Sequence, residues 1–177
     1  SHSEPITLPF WSPDGTKLGM AITENTEKED QPKFSILILD LKMGKKKRLE
    51  DAFFGICAKF SPDGKRVLYA KTPHYNVGAT LLGQICVYHL ETDEDKPVVA
   101  CNFGYYYPYF EWLDGDQILF AAPSLVLPRA LSVDEKSLDE TFLFRQTIYR
   151  LDLRTHVCRA VTSHFEALII SVSFSAP

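Results

Sequence analysis

Trp11-Ser12-Pro13-Asp14-Gly15 decides how this chain is read, because the chain writes it more than once. Phe60-Ser61-Pro62-Asp63-Gly64 is a second copy, and Trp112-Leu113-Asp114-Gly115 is a third, one residue shorter. Phe174-Ser175 reads as the opening of a fourth. Proline presets φ at the second position of a β-turn, aspartate bonds its own backbone, and glycine takes a positive φ without steric cost. An aromatic residue before the turn and apolar residues after it make a tight β-hairpin. Pro13, Asp14, Gly15, Pro62, Asp63, Gly64, Asp114 and Gly115 are therefore read as structural turn residues.

A strand follows each turn at fixed distance: Lys17-Leu18-Gly19-Met20-Ala21, Arg66-Val67-Leu68-Tyr69-Ala70 and Gln117-Ile118-Leu119-Phe120-Ala121. A third strand begins at Ile36, Ile85 and Ile148 and ends in Asp40-Leu41, His89-Leu90 and Asp152-Leu153. The step from the alanine to that isoleucine is 15 residues in the first two units and 27 in the third, so the third carries a 12-residue insertion. A fourth strand follows at Lys47-Arg48-Leu49, Pro97-Val98-Val99-Ala100 and Arg159-Ala160-Val161-Thr162. With the insertion removed, the repeat has a period of about 50 residues and four strands, the signature of propeller blades.

The expected fold class is thus all-β. It is a partial β-propeller of three four-stranded antiparallel blades plus the first strand of a fourth. Blade one spans about 5–50 and blade two about 55–101. Blade three spans about 106–162 with the insertion at 123–146, and a fourth begins at 168–177. Closed propellers need about four to eight blades. The expectation is that further blades of a longer chain, or further copies of this one, complete the ring. An arc leaves apolar blade faces bare, which predicts self-association.

The Trp-Ser-Pro-Asp-Gly-Thr-Lys-Leu run, the Ile-Leu-Asp-Leu strand and the basic strand after it resemble the TolB-like propeller repeat, a relative of the WD repeat. The Gly-His and Trp-Asp pairs of WD repeats are absent. The resemblance implies blades around a channel, not one function. Some propellers of this type are lyases or gating domains of serine peptidases, so a piece of an enzyme propeller is the alternative function. The resemblance also points to a periplasmic or secreted protein, whereas free cysteines point to the cytoplasm.

Composition sets further bounds. A hydrophobic fraction of 45% with 12% aromatics supports a packed core. The net charge of −4 argues against nucleic acid as a partner. No apolar run reaches the roughly 18 residues of a membrane span. Cys57, Cys86, Cys101 and Cys158 form no Cys-x-x-Cys pair and have no histidine at zinc spacing, so no metal or cofactor is expected. If Leu90 pairs with Pro97, Cys86 faces Cys101 and a disulfide fits there; free buried thiols are the plainer expectation. No Gly-x-Ser-x-Gly, His-Glu-x-x-His, phosphate-loop or dinucleotide fingerprint is present, and no catalytic residue is assigned.

Binding is therefore expected from loops on rigid blades. The turns and outer hairpins share one end of the arc. The connectors and the loops between second and third strands share the other, bringing together Phe53-Phe54, His74-Tyr75, Tyr105 to Tyr107 and the insertion. A protein or peptide partner is expected at Tyr105, Tyr106, Tyr107, Leu125, Leu127 and Leu131, with His74 and Tyr75 beside them. Tyrosine offers apolar area with a hydroxyl tip, a mix favoured at interfaces. A short helix is expected around 133–140. The basic hairpin of blade one and the acidic one of blade two (Glu91, Asp93, Glu94, Asp95) are expected to attract each other.

Overall fold

The computed structural model describes residues 3–5, 9–24, 33–52, 57–71, 82–102, 109–122, 125–126 and 147–161. Blade one is built from β1 (Ser3–Pro5), β2 (Phe10–Trp11), β3 (Lys17–Glu24), β4 (Lys33–Asp40) and β5 (Lys45–Leu49). Blade two comprises β6 (Lys59–Phe60), β7 (Arg66–Lys71), β8 (Leu82–His89) and β9 (Glu94–Asn102). Blade three comprises β10 (Tyr109–Trp112), β11 (Gln117–Ala122), β13 (Thr147–Asp152) and β14 (Cys158–Ala160). The remaining strand, β12 (Leu125–Val126), leaves blade three and pairs with β9 of blade two. Every pairing is antiparallel, and consecutive strands of a blade are neighbours, except that β1 and β2 both pair with β3. No described helix is long and apolar enough to cross a membrane.

The inner edge of blade one is described as two short segments, β1 and β2, both paired with β3. Ser3–Pro5 pairs with Ile22–Glu24 and Phe10–Trp11 with Leu18–Gly19, and the two registers differ by two residues. Extra residues on one strand of a pair break the ladder locally, as in a β-bulge.

The hairpin of blade two also corrects an expectation. His89 pairs with Glu94, and Ile85 with Val99, but Cys86 pairs with Pro97, leaving Val98 as an extra residue. Proline has no N–H for the ladder, so the bulge forms beside it. The hairpin closes at His89 and Glu94, so Leu90 lies in the turn rather than opposite Pro97. Cys86 faces Pro97 while Cys101 faces Gly83. The two cysteines are not cross-strand partners, and Cys86 is a free buried thiol.

Neighbouring blades pack face to face, the face toward the following blade called here front and the other back. Ile36, Ile38 and Leu49 on the front of blade one meet Phe60, Val67, Tyr69, Cys86 and Tyr88 on the back of blade two. Leu68, Ala70, Ile85, Val87 and Val99 on the front of blade two meet Phe110, Trp112, Ile118, Phe120 and Leu151 on the back of blade three. Strand alternation makes this possible, since successive side chains point to opposite faces. Blade two is packed on both sides. That is why β7 and β8 read as unbroken apolar runs, Val67-Leu68-Tyr69-Ala70 and Ile85-Cys86-Val87-Tyr88, all buried.

Candidate binding face

The repeated turn is a closed hydrogen-bond unit rather than a site with spare groups. Ser12 Oγ donates to Asp14 Oδ1 at 2.7 Å and accepts from the Lys17 N–H at 2.8 Å. The Gly15 N–H donates to the Ser12 carbonyl at 2.9 Å, and the Thr16 N–H donates to Asp14 Oδ1 at 3.0 Å. The second copy repeats this: Ser61 Oγ to Asp63 at 2.5 Å, Arg66 N–H to Ser61 Oγ at 2.9 Å, and Lys65 N–H to Asp63 at 3.0 Å. Gly15 and Gly64 both sit at φ +68°. The Ser12 hydroxyl, followed by the Thr16 N–H, holds the Asp14 carboxyl far below the usual carboxylate range. Partial burial pulls Asp63 upward, but its bonds from Ser61 and Lys65 and the nearby Arg66 prevail, and it too titrates low.

The third turn is built differently. It keeps the bond to the aspartate, from the Asp116 N–H to Asp114 Oδ1 at 2.7 Å, and the bond from the Leu113 N–H to the Gln117 carbonyl at 2.9 Å, but Leu113 has no hydroxyl to make the serine's bonds. Gly115, expected to need a positive φ, is not among the left-handed glycines. Its carbonyl instead accepts from Arg66 of the preceding blade. The same guanidinium lies 3.3 Å from Asp116 Oδ1 and 5.1 Å from the centre of the Trp112 ring. Trp112 Nε1 donates to the Lys59 carbonyl at 3.3 Å, and Lys59 pairs with Glu111. Together these form a clasp between blades two and three. Its sequence signal was a cation three residues after Asp63 with a tryptophan at the head of the next turn.

The outer hairpins behave as their charges suggest. Lys47 of blade one lies 2.8 Å from Asp93 Oδ1 and 5.4 Å from the Tyr88 ring centre, while the Tyr88 hydroxyl bonds Asp93. The Asp93 bond, and then Tyr88, raise the Lys47 ammonium to about 12. Gly44, Asp93 and His156 occupy one repeat position and share the left-handed conformation, at φ 65°, 58° and 56°. Asp40 and Asp152 each accept two backbone N–H bonds in these turns.

Tyr105, Tyr106, Tyr107, Leu127, Leu131, His74 and Tyr75 lie outside the described residues, as does the expected helix at 133–140. Leu125 is placed through its backbone. It stands opposite Cys101, and Val126 opposite Ala100, so the start of the insertion is a fifth strand on the outer edge of blade two. This registers the insertion against the end of β9, whose last residue, Asn102, directly precedes the connector that carries the three tyrosines. Sequence reasoning joined these two segments but put both on blade three. The strand pairing puts Leu125 and Val126 on blade two, through a two-residue contact too short to leave a period.

Chemically the described residues are quiet. Among them no group of three or more His, Cys, Asp or Glu side chains is placed to hold a metal ion. Burial pushes the Cys57 thiol up to about 11 and the Cys86 thiol up to about 12. Both stay protonated near neutrality, and a thiol is a poor nucleophile.

No protein-family model matches the sequence. Solved structures are similar. The β-propeller domain of the Trilobed protease from Pyrococcus furiosus, which has an open velcro topology, superposes with a TM-score of 0.62 at 16% identity, covering 93% of this chain and 43% of that one. The chain is a β-propeller arc. Pyrococcus horikoshii acylaminoacyl peptidase gives a TM-score of 0.60 at 19% identity, covering 91% of the arc and 24% of the peptidase chain. TolB from Acinetobacter baumannii gives 0.51 at 21% identity, covering 92% of the arc and 32% of TolB. At such identities the likeness concerns fold, and the arc spans less than half the length of each of these structures.

Proposed function

We propose that the arc is a non-catalytic scaffold of TolB-like type that holds a protein or peptide at its loop end, at the junction of blades two and three. The observation that supports this is the pairing of β12 with β9. It sets Leu125 and Val126, at the start of the apolar insertion, opposite Cys101 and Ala100 at the end of β9, which in sequence comes just before the tyrosine-bearing connector. At the turn end, the clasp through Arg66 and Trp112 ties the same two blades together. Loops carried on such a rigid frame lose less entropy on binding. Triple alanine substitution at Tyr105, Tyr106 and Tyr107 is expected to abolish capture of a partner that the wild-type chain retains, while Met43→Ala, at the opposite end, leaves capture intact. Retention by the triple variant overturns the reading.

A second reading is favoured by the peptidase propellers among the similar structures. In it the arc belongs to the propeller of a serine peptidase and its loops face the hydrolase. That reading requires a Gly-x-Ser-x-Gly segment in the coding sequence continuous with this chain, and a reading frame without one removes it.

A further inference from the structure

The outer strand of a blade has one hydrogen-bonding edge that its own ladder does not use, and such an edge is a template for another strand. The three outer strands treat this edge differently. β5 is Lys45-Lys46-Lys47-Arg48-Leu49, four cations in a row, and β14 is only three residues long with Arg159 at its centre. Short or charged edges discourage pairing. β9 has nine residues, more than any other described strand. Its first half is guarded in the same way, by Glu94, Asp95, Lys96 and Pro97, with the bulge at Val98 beside them. The run that completes it, Val98-Val99-Ala100-Cys101-Asn102, has neither charge nor proline.

This unguarded run is where β12 adds. Leu125 pairs with Cys101 and Val126 with Ala100, so among the described residues the added strand covers two positions of the run's five. Its own sequence limits it. Pro123 and Pro128 bracket Ser124-Leu125-Val126-Leu127, and proline, having no N–H, ends a ladder. The edge beneath is fixed in place. Val99 and Ala100 are buried, Val99 in the seam with blade three, and β9 pairs with β8 from Glu94 to Asn102. A short, proline-bounded strand thus lies on a longer, rigid and uncharged edge.

We propose that the 98–102 edge of blade two binds an extended apolar segment of a protein partner as an added antiparallel strand, and that β12 holds this edge in the partner's absence. The proposal rests on the reading of the junction of blades two and three as the binding face, and it names how the partner is held there. Main-chain hydrogen bonds supply the affinity, and side chains at alternate positions supply the choice of partner. The sequence around β12 defines the chemistry of the occupant. Ser124-Leu125-Val126-Leu127 is uncharged, aliphatic and partly β-branched, a composition that suits a pleated, half-buried surface. A partner segment without the two prolines makes a longer ladder than β12 and displaces it. Its apparent affinity is scaled by the fraction of chains whose edge is free.

The probe for the test is a fluorescein-labelled synthetic peptide that carries Ser-Leu-Val-Leu with threonines in place of the flanking prolines. It is titrated into the 177-residue chain and followed by fluorescence anisotropy. Saturable binding is expected, severalfold tighter to Val126→Pro, in which the resident strand is weakened. Alternate residues of an antiparallel strand turn their N–H and C=O toward the same neighbour. N-methylation of the probe in one alternation is therefore expected to abolish binding, and in the other to leave it intact. Directly opposite residues of such a pair stand about 4.5–5.5 Å apart at Cα, within disulfide reach. Leu125→Cys is thus expected to form a disulfide with Cys101 in oxidised glutathione and to exclude the probe until dithiothreitol opens it. Triple alanine substitution at Tyr105, Tyr106 and Tyr107 is expected to leave probe binding unchanged, so that failure of the tyrosine prediction and failure of this one are read separately. Probe binding that tolerates N-methylation in both alternations, survives the disulfide, or is lost in the tyrosine variant overturns the proposal. So does a Leu125→Cys chain that forms no disulfide with Cys101, or a probe that binds neither the wild type nor Val126→Pro.

Discussion

At the scale of the residue, Gly64 and Gly115 make a matched pair. Gly64 has φ +68° and room for a Cβ, whose nearest neighbour would be Pro13 Cδ at 3.7 Å, so Gly64→Ala is penalised by backbone conformation alone. The expected loss is about 1 kcal/mol in urea unfolding. Gly115 has no positive φ, so Gly115→Ala is expected to cost much less, and equal costs would contradict the different turn types. Gly19 is a third case. It sits opposite Phe10, and a Cβ there would stand inside the Phe10 ring, which also packs on Phe60 at 5.2 Å. Gly19→Ala is expected to destabilise by about 1–3 kcal/mol, the usual range for overpacking, and Phe10→Leu should recover part of it. The turn carboxylates set an acid limit. Asp14 and Asp63 titrate below the ordinary 3.8 in the fold. Their contribution is complete above that value and is lost as pH falls through the lower folded value. The urea midpoint should therefore drop below about pH 4, less steeply in Asp14→Asn; a pH-independent midpoint there would contradict the Ser-Asp bond. The first two turns were legible because their chemistry is local to five residues. The third was not, because a Leu for Ser change removes the hydroxyl that closes the turn.

At the scale of the element, the strands and their order were legible from spacing, since turn and strand recur in fixed steps. Registers were less so. Pairing Leu90 with Pro97 assumed a longer turn, whereas the hairpin closes at His89 and Glu94 and so sets Cys86 opposite Pro97 instead of Cys101. The pairing of β12 with β9 was illegible because two residues at an edge carry no pattern. The clasp between blades two and three makes the clearest prediction here. Arg66 touches Gly115, Asp116 and the Trp112 face at once. Arg66→Ala is expected to cost about 2 kcal/mol, in the range for hydrogen bonds to charged groups. Arg66→Lys should not restore it, because an ammonium cannot bond in a fork and lie flat on the indole. Full recovery by lysine would reduce the clasp to a simple ion pair. The candidate site was legible only as a location: the tyrosines and leucines were picked out by composition, and what registers the insertion is a backbone pairing that side-chain pattern does not encode.

At the scale of the molecule, the account rests on one rule: each blade packs its back on the front of its predecessor, so blade two alone is covered on both faces by described partners. Stability should follow that coverage. Local opening is harder where more apolar surface must be exposed, and amide exchange reads it strand by strand. Native-state hydrogen exchange on a dilute, monomeric sample is therefore the most direct measurement. The amides of β7 and β8 are expected to be the slowest in the chain, exchanging only on global unfolding. Those of β3 and β4 in blade one and β13 in blade three should open earlier. A slowest set in β3 and β4, or equal protection across the three blades, would contradict the stacking on which every seam described above depends.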